Sequence, residues 1–132
     1  MSRENVEVVR SMFEAYGRRD VSGVIACVHP DVEVHPGLVG VLEGTVYRGR
    51  DGFKRFVEDV DAAWVQYGIE PEEFRDLADT VLVLGRARGH GRDGIVVDAQ
   101  AGWVCVMREG KVRRFQSFVK RNDALAAVGL SE

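Results

Sequence analysis

The apolar residues of this chain recur three or four positions apart in the first half and at every second position in the second half. The first spacing predicts amphipathic helices and the second predicts half-buried strands. The predicted elements are helices from Ser2 or Asn5 to about Gly17, from Val21 to Val28 and from Arg50 to Trp64, a strand from Val32 to His35, four strands between Ile69 and Val119, and a closing helix from Asp123 to Val128. Helices followed by a run of strands predict an α+β fold, with helices on one face of an antiparallel sheet and a single domain over residues 1–132.

The strand predicted from Val96 to Arg108 has one apolar face and one mixed face. The apolar face, which we expect to line the core, consists of Val97, Ala99, Ala101, Trp103, Cys105 and Met107. The mixed face carries Asp98 and Gln100, so we expect it to meet solvent or a partner subunit. The third helix has a matching apolar stripe and Asp51 as its expected N-cap. That stripe consists of Phe53, Phe56, Val57, Val60 and Trp64.

Two further segments bear on the pocket and the sheet edge. The stretch Leu38–Gly49 is apolar and rich in glycine for a loop, which indicates a pocket lip or a mobile cover. Glu109-Gly110 is predicted to form a hairpin turn. After it, alternation places Arg113, Phe115 and Ser117 on one face of the last strand and Val112, Arg114 and Gln116 on the other.

The composition is ordinary for a globular protein, with 45% apolar and 30% charged residues. The net charge is −3 and the isoelectric point is near 5.7. A nucleic-acid-binding domain would carry a basic surplus, so we expect no nucleic-acid partner. No apolar run approaches the ~20 residues that span a bilayer, and the N-terminus lacks the apolar core of a signal peptide. We therefore expect a cytoplasmic protein without a membrane partner.

The cysteines and histidines give no sign of a metal site. Cys27 and Cys105 are isolated thiols in apolar settings, which favours small buried residues in a reducing compartment. Their spacing fits no zinc motif, and the three scattered histidines add none. We predict no metal and no cofactor.

Several short motifs follow one another along essentially the whole chain. They are Met12–Tyr16 before Asp20, His29–Val34, Tyr47–Gly52, Arg108–Val112 and Arg121–Leu130. In this order the chain resembles the SnoaL-like (polyketide cyclase) branch of the nuclear transport factor 2-like superfamily. The resemblance implies a cone-shaped fold, in which a curved antiparallel sheet wraps around three N-terminal helices and encloses an apolar pocket. It also implies a homodimer that pairs through the outer sheet face, but no particular reaction.

The ketosteroid isomerases of this superfamily need a base in a dry pocket and a donor for the developing oxyanion. By resemblance, the place of their aspartate base falls at His35 or Pro36, so His35 is the titratable candidate. The alternative is a strand-end histidine bonded to backbone or water. The donor positions fall at Met12 and near Trp103, and the first cannot donate a proton. The candidate donors are therefore Tyr16, one helical turn after Met12, and the weaker indole N–H of Trp103. Alternatively, Tyr16 is a core residue with its hydroxyl at the rim.

The polyketide cyclases of the branch use an aspartate and a histidine within the sheet, for which Asp98 and His90 are the available pair. The reading we favour places Asp98 instead on the outer face, with Arg86 and Arg88 in cross-strand charge pairs. An epoxide-hydrolase arrangement needs an arginine between two inward acids. Arg88 with Asp98 supplies only part of it.

The predicted pocket is largely apolar, with a few polar groups. Its candidate ligand-binding residues are Tyr16, Tyr47, Phe56, Val60, Trp64, Trp103, Phe115 and Ser117. Such a cleft is the usual form of a small-molecule site, unless the aromatic residues simply fill the core. The leading hypothesis is therefore a domain that binds a small apolar or aromatic molecule, with catalysis not established. The others are a cofactor-independent cyclase, isomerase or dehydratase acting on a carbonyl compound with His35 as base, and a structural homodimerisation module with a filled core.

Overall fold

The computed structural model describes residues 2–37 and 45–131 and has an α+β architecture. Its elements are α1 (Ser2–Gly17), α2 (Val21–Ile25), β1 (Val28–His35), β2 (Tyr47–Arg48), α3 (Gly49–Ala63), β3 (Trp64–Asp76), β4 (Thr80–Gly91), β5 (Val96–Arg108), β6 (Lys111–Phe118) and α4 (Arg121–Ala127). The strands of the described residues form one curved, open sheet in the order β2-β1-β6-β5-β4-β3. The predicted order of helices and strands is confirmed.

Helices α1 and α3 fill the concave side of the sheet, because each carries an apolar stripe at helical spacing. In α1, Val9, Met12 and Phe13 are at most 4% exposed. In α3, Phe56 and Val60 are 6% and 1% exposed. Helix α1 packs on β3, β4 and β6, and α3 packs on β1, β2 and β3. The expected cone, with its helices inside the curved sheet, is confirmed.

Strand β1 runs parallel to β6, whereas the other neighbouring pairs are antiparallel. The prediction of a purely antiparallel sheet is wrong for this pair. Tight turns make neighbours antiparallel, as at Glu109-Gly110, where φ angles of 54° and 75° suit the predicted two-residue hairpin. Strands β1 and β6 are joined through the rest of the sheet, so no turn fixes their relative direction. Their pairing sets Val34 beside Phe115 in the core.

The boundary between α2 and β1 differs from the prediction. Helix α2 ends at Ile25, and β1 begins at Val28 rather than Val32. Pro30, which we expected to stop a helix, lies inside β1 at a break in its register between Val28 and Glu33. Proline lacks an N–H group, so within a sheet it suits an irregular place where no ladder hydrogen bond is required.

Helix α3 passes into β3 without a connecting loop. Trp64, predicted as the end of the helix, starts the strand, which begins there rather than at Ile69. Pairing with β4 explains the extension, because Trp64 lies opposite Gly91 at the far end of that strand. The predicted N-cap is wrong as well. Arg48 precedes the helix without a side-chain cap, and Asp51 lies in the first turn, where its charge suits the helix dipole.

The faces of β5 follow the predicted alternation. Ala101, Trp103 and Cys105 are at most 2% exposed and belong to the main core, while Asp98 and Gln100 are exposed on the other face. Period-two patterning therefore identified the inner face of this strand correctly.

Strand β6 does not keep the predicted alternation. Val112 and Phe115, which we expected on opposite faces, both belong to the main core. The reason is a bulge: Arg113 is an extra residue opposite the step from Val106 to Met107. An extra residue shifts the face on which each earlier side chain lies.

Helix α4 covers part of the outer sheet face, which we expected to meet solvent or a partner. Leu82, Leu84 and Leu125 are at most 1% exposed and form an apolar cluster separate from the main core. Gly102 permits the close approach of this helix, since a Cβ at that position would lie 2.3 Å from the Cβ of Ala124. A second, smaller apolar core therefore lies on the outer side of the sheet.

Two further expectations concern the glycine-rich segment and membrane-spanning helices. Most of the apolar, glycine-rich stretch predicted as a pocket lip, residues 38–44, lies outside the described residues. In residues 2–37 and 45–131, no helix combines the length and the apolar character needed to cross a bilayer.

Candidate active or binding site

An apolar cavity lies between the N-terminal helices and the concave side of the sheet. It is lined by Met12, Phe13, Tyr16, Val24, Phe53, Phe56, Tyr67, Ile69, Trp103, Phe115 and Ser117. The centre of a water molecule can move through about 30 Å³ of it, and the empty space including the open mouth is about 420 Å³. One water needs roughly 10–15 Å³ on the first measure, so the interior has room for only a few waters. In this conformation the cavity is a narrow slot.

Packed aromatic rings form the wall of the slot. The Phe13 ring lies edge-on to Trp103, with centroids 5.5 Å apart, and 6.1 Å from the ring of Phe115. The Phe53 ring lies 5.8 Å from that of Phe115. Tilted and edge-to-face contacts at these distances are the favourable arrangements for aromatic pairs. Helices α1 and α3 and strands β5 and β6 thus hold the wall together.

The open side of the slot lies at the end of α1 and along β3. Tyr16, Tyr67 and Ile69 are half-buried, whereas the other lining residues are buried. The polar side-chain groups of the described lining are the hydroxyls of these two tyrosines and of Ser117 and the indole N–H of Trp103. The mouth therefore presents two phenols at the edge of an apolar interior.

Burial raises the pKa of both mouth tyrosines. For Tyr16, desolvation is the main cause, and the nearby Arg19 guanidinium opposes it. For Tyr67, desolvation again dominates, and Tyr16 adds to it. Both phenols are therefore protonated near neutral pH and can donate hydrogen bonds.

The structure brings part of the predicted pocket together. Of the predicted ligand-binding residues, Tyr16, Phe56, Trp103, Phe115 and Ser117 line the cavity. Val60 and Trp64 are 1% and 4% exposed and belong to the packed core instead. The Trp64 ring stacks against Tyr67, 5.3 Å between centroids, so it supports the mouth from behind. A role for any of these residues in ligand binding stays a prediction.

Tyr47 also lies outside the cavity lining. Its ring packs against Phe56, with centroids 5.5 Å apart, and its hydroxyl donates to Asp59 Oδ2 at 2.5 Å. Burial, together with this hydrogen bond and the Asp59 charge, raises the pKa of Tyr47 to about 12. The hydroxyl is thus engaged within the fold.

His35 lies on the outward side of β1. Its neighbour Val34 is fully buried in the core, and successive strand residues point to opposite faces. His35 Nε2 lies 3.1 Å from Glu33 Oε1, and Arg48 donates to Glu33 Oε2 at 2.9 Å. The hydrogen bond with His35, aided by Arg48 and Arg113, lowers the pKa of the Glu33 carboxyl. His35 is not part of the described cavity lining, and its side chain is bonded to the carboxylate of Glu33.

Asp98 lies on the outer face of the sheet. Arg86 Nε donates to Asp98 Oδ1 at 2.8 Å, and Arg88 lies 3.7 Å from Asp98 and 3.4 Å from Glu70. These are the cross-strand charge pairs that the sequence favoured, and His90 is not the cross-strand partner of Asp98. The sheet separates Asp98 from the cavity, so the geometry does not support a catalytic role there.

The lining within the described residues includes no carboxylate, imidazole, amine or guanidinium. A general base must lie within hydrogen-bond reach of the proton that it removes. In the same part of the chain, no group of three or more His, Cys, Asp or Glu side chains is placed to hold a metal ion. The described lining can enclose an apolar body and donate hydrogen bonds to an acceptor group attached to that body.

Sequence reasoning missed Tyr67 as a mouth residue. It assigned the segment before Ile69 to the end of a helix and a connection, whereas β3 already runs through it. The available signal was alternation, since Tyr67 and Ile69 are two positions apart and share the inner face. Phe13 and Phe53 were recognised only as parts of helical apolar stripes, which do not separate a cavity wall from a filled core.

Comparison with known proteins gives consistent matches in sequence and in fold. The family model of the SnoaL-like domain matches residues 9–115. An NTF2-like protein from Burkholderia xenovorans is 26% identical, with a TM-score of 0.78 and 96% of each chain covered. TerC, co-crystallised with polyporic acid, is 24% identical, with a TM-score of 0.79 and 89% of this chain and 92% of TerC covered. A Mycobacterium tuberculosis protein in complex with estradiol-17beta-hemisuccinate is 16% identical, with a TM-score of 0.71 and coverages of 86% and 92%. Comparison with curated proteins gives no match.

Proposed function

The chain belongs to the SnoaL-like domain family, and we propose that it binds a small apolar or aromatic molecule in the slot between its helices and its sheet. The observation that carries the proposal is the described lining, which is apolar apart from three hydroxyls and the indole N–H of Trp103. Small-molecule sites usually combine such walls with a few orienting polar groups. The ligand complexes of TerC and of the Mycobacterium tuberculosis protein support the use of this fold for small molecules.

Binding requires the slot to widen. Ligand pockets usually have volumes of roughly 300–1,000 Å³. The volume of this slot that is open to the centre of a water molecule is only about 30 Å³. The half-buried mouth, with Tyr16, Tyr67 and Ile69, is the side with the fewest packed neighbours to displace. Ligand entry therefore proceeds by displacement of these side chains, and the buried aromatic wall keeps its place.

Binding without catalysis agrees better with the geometry than a proton-transfer enzyme does. The phenols of Tyr16 and Tyr67 could donate to a carbonyl oxygen, but proton transfer next to a carbonyl also needs a base. His35, the candidate base, lies outside the cavity lining and is bonded to Glu33. A filled structural core is the third hypothesis, and the narrow interior makes it the direct competitor.

Filling the slot tests the proposal. Val24 is 2% exposed and lines the cavity, so Val24→Leu adds one methylene to the remaining space. We expect weaker binding of an uncharged fluorescent aromatic probe, phenylnaphthylamine, with the thermal midpoint unchanged or raised. The matched control is Val65→Leu, at a position that is 60% exposed. Native mass spectrometry of the purified protein would show a co-purified ligand directly.

Two results would count against ligand binding. The first is wild-type protein that binds no probe and carries no ligand, which would favour the filled core. The second is equal probe affinity in wild type and Val24→Leu, which would place the probe outside the slot. Conversion of a bound ligand into a product would replace binding alone by catalysis.

We also propose that two copies pair through the outer face of β3, β4 and β5. This face carries the carboxylates of Glu70 and Asp98 and the guanidiniums of Arg86 and Arg88. A copy related by a twofold axis can set the acids of one chain against the bases of the other. Val96, beside these charges, is 70% exposed, so a partner would cover an apolar side chain.

Sedimentation equilibrium tests the pairing. We expect a dimer for wild type and a clear shift towards monomer for Val96→Asp, because the new carboxylate would be buried without a partner. Ser11→Asp introduces the same charge on the exposed side of α1 and should leave the association unchanged. A monomeric wild type at high concentration would contradict the pairing.

A cytoplasmic location remains part of the proposal. Cys27 and Cys105 are free thiols, and burial raises the pKa of both. Raised pKa values disfavour the reactive thiolate, which supports a packing role for these residues in a reducing compartment.

A further inference from the structure

The mouth of the slot has a polar corner formed by Tyr16, Tyr67 and Arg19. The guanidinium carbon of Arg19 lies 4.6 Å from the centre of the Tyr16 ring. Its Nη2 donates to the main-chain oxygen of Tyr67 at 2.5 Å. One cation therefore spans the two residues whose phenols edge the slot, and it connects the end of α1 to β3.

The backbone of Arg19 is unusual for an arginine. Its φ is 56°, in the left-handed region, and it follows the end of α1, where glycine is the common choice. A side chain at such a position costs conformational energy, which indicates that its contacts compensate for that cost. The guanidinium is therefore a candidate functional group, and a purely structural latch is the alternative.

The chemistry of the corner suits a negatively charged oxygen. A guanidinium has five N–H donors, and the bonds to the main-chain oxygens of Tyr67 and Tyr16, at 2.5 and 3.5 Å, use two of them. Among the described residues, Arg19 makes no ion pair with an acid, although Asp61 is near enough to raise the pKa of Tyr16. The two phenols are protonated near neutral pH, as tyrosines ordinarily are, and burial raises their pKa values further. Neutral phenols and a cation can all donate to an acidic oxygen.

We infer that the ligand is an aromatic or apolar acid, whose apolar body lies in the slot and whose carboxylate, sulfonate, phenolate or enolate oxygen is recognised at the mouth by Arg19 with Tyr16 and Tyr67. The inference rests on the proposed function and narrows its ligand class. It assigns Arg19 the role of a specificity residue, although this residue is not part of the slot lining. The walls supply affinity for the apolar body, and the corner discriminates by charge.

A pair of probes with one skeleton separates the two contributions. Anilinonaphthalene sulfonate is anionic, and phenylnaphthylamine is its uncharged counterpart. For Arg19→Gln, we expect the affinity for the sulfonate to fall about tenfold, as for loss of a charged hydrogen bond. The affinity for the neutral probe should change less than twofold. Arg19→Lys should restore part of the preference, and added salt should weaken only the sulfonate.

The controls address structure and net charge. Arg18→Gln removes the same charge from the neighbouring exposed position and should leave the ratio of the two affinities unchanged. Arg19→Gly removes the guanidinium while supplying the residue that suits a positive φ, so it keeps the test open if Arg19→Gln unfolds. Asp61→Asn should act in the opposite direction and strengthen sulfonate binding.

The outcomes separate this inference from the proposed function. If both probes bind wild type but lose affinity equally in Arg19→Gln, Arg19 is a structural latch and the inference fails alone. It also fails alone if neither probe responds to that substitution. If neither probe binds wild type, the slot is not a binding site and both proposals fall together.

Discussion

The two faces of the central strands β4 and β5 differ in burial, since the inner face contributes to one core and the outer face is partly covered and partly exposed. On the inner face, Ala87, Ala101 and Trp103 are all 2% exposed and contribute to one core. The outer face is divided, because Leu82 is covered by α4 while Arg86, four positions later, pairs with a carboxylate beside solvent. The same alternation of side chains therefore produces one continuous inner surface and two unlike outer ones.

This difference shows where function can be placed in the fold. The inner surface combines small residues with aromatic ones, so it leaves a slot where the helices do not fill the concavity. On the charged part of the outer surface, cross-strand pairs already partner the carboxylates of Glu70 and Asp98 with the guanidiniums of Arg86 and Arg88. Substitutions on the two faces of one strand should therefore have very different costs.

The largest effect is expected from Trp103→Ala on the inner face. Trp103 is 2% exposed and packs edge-on against Phe13, so its removal leaves a large cavity. The free energy of unfolding should fall by about 3–5 kcal/mol, as for other buried aromatic residues. Urea denaturation followed by circular dichroism measures this loss. Gln100→Ala, on the exposed face of the same strand, should stay within about 0.5 kcal/mol of wild type, and equal losses would contradict the comparison.

The fold was largely predictable because its strands are long and two-faced. Strand β5 was bounded correctly from Val96 to Arg108, since its alternation is unbroken. Errors arose where tertiary contacts override local pattern. Trp64 continues a helical stripe but starts a strand, because β4 offers it a partner, and the bulge at Arg113 shifts the register of β6 without any local signal.

The site was less predictable than the fold. Apolar periodicity identifies residues that face inward, but it does not show which of them border empty space. Phe56 and Val60 share one helical stripe, yet only Phe56 lines the slot. His35 was assigned by position in a motif, whereas the structure turns its neighbour Val34 towards the core and leaves His35 outside the described cavity lining. The contacts of Arg19 connect elements far apart in sequence, so no spacing rule could have shown them.

Gly102→Ala should have the next largest effect, on the part of the outer face under α4. The added Cβ would lie 2.3 Å from the Cβ of Ala124, so the helix must move. Overpacking of this kind costs about 1–3 kcal/mol. Ala124→Gly alone should cost about 0.5–1 kcal/mol through helix propensity, but it should reduce the penalty when combined with Gly102→Ala. Additive losses in a double-mutant cycle would show that these two residues do not control the fit of α4.

Tyr47→Phe tests a polar contact on the inner side of the sheet. Loss of the hydrogen bond to Asp59 should cost about 0.5–1.5 kcal/mol near neutral pH. The folded state raises the pKa of Tyr47 from 10.0 to about 12, so the unfolded chain releases this proton first. Wild-type stability should therefore decline as pH rises from about 10 to about 12, and the difference from Tyr47→Phe should shrink over that window. A pH-independent difference would show that the contact does not depend on this proton.

The smallest effect is expected on the charged part of the outer face. Arg86 and Asp98 approach to 2.8 Å, but their side chains are 35% and 55% exposed, so water and salt screen the pair. A double-mutant cycle with Arg86→Ala and Asp98→Ala should give a coupling of about 0.2–1 kcal/mol, decreasing with salt. The measurement should be made at low protein concentration, since a second copy in the proposed pairing would bury these charges. A coupling that grows with protein concentration would show that this pair lies in an interface between two copies rather than on the surface of a monomer.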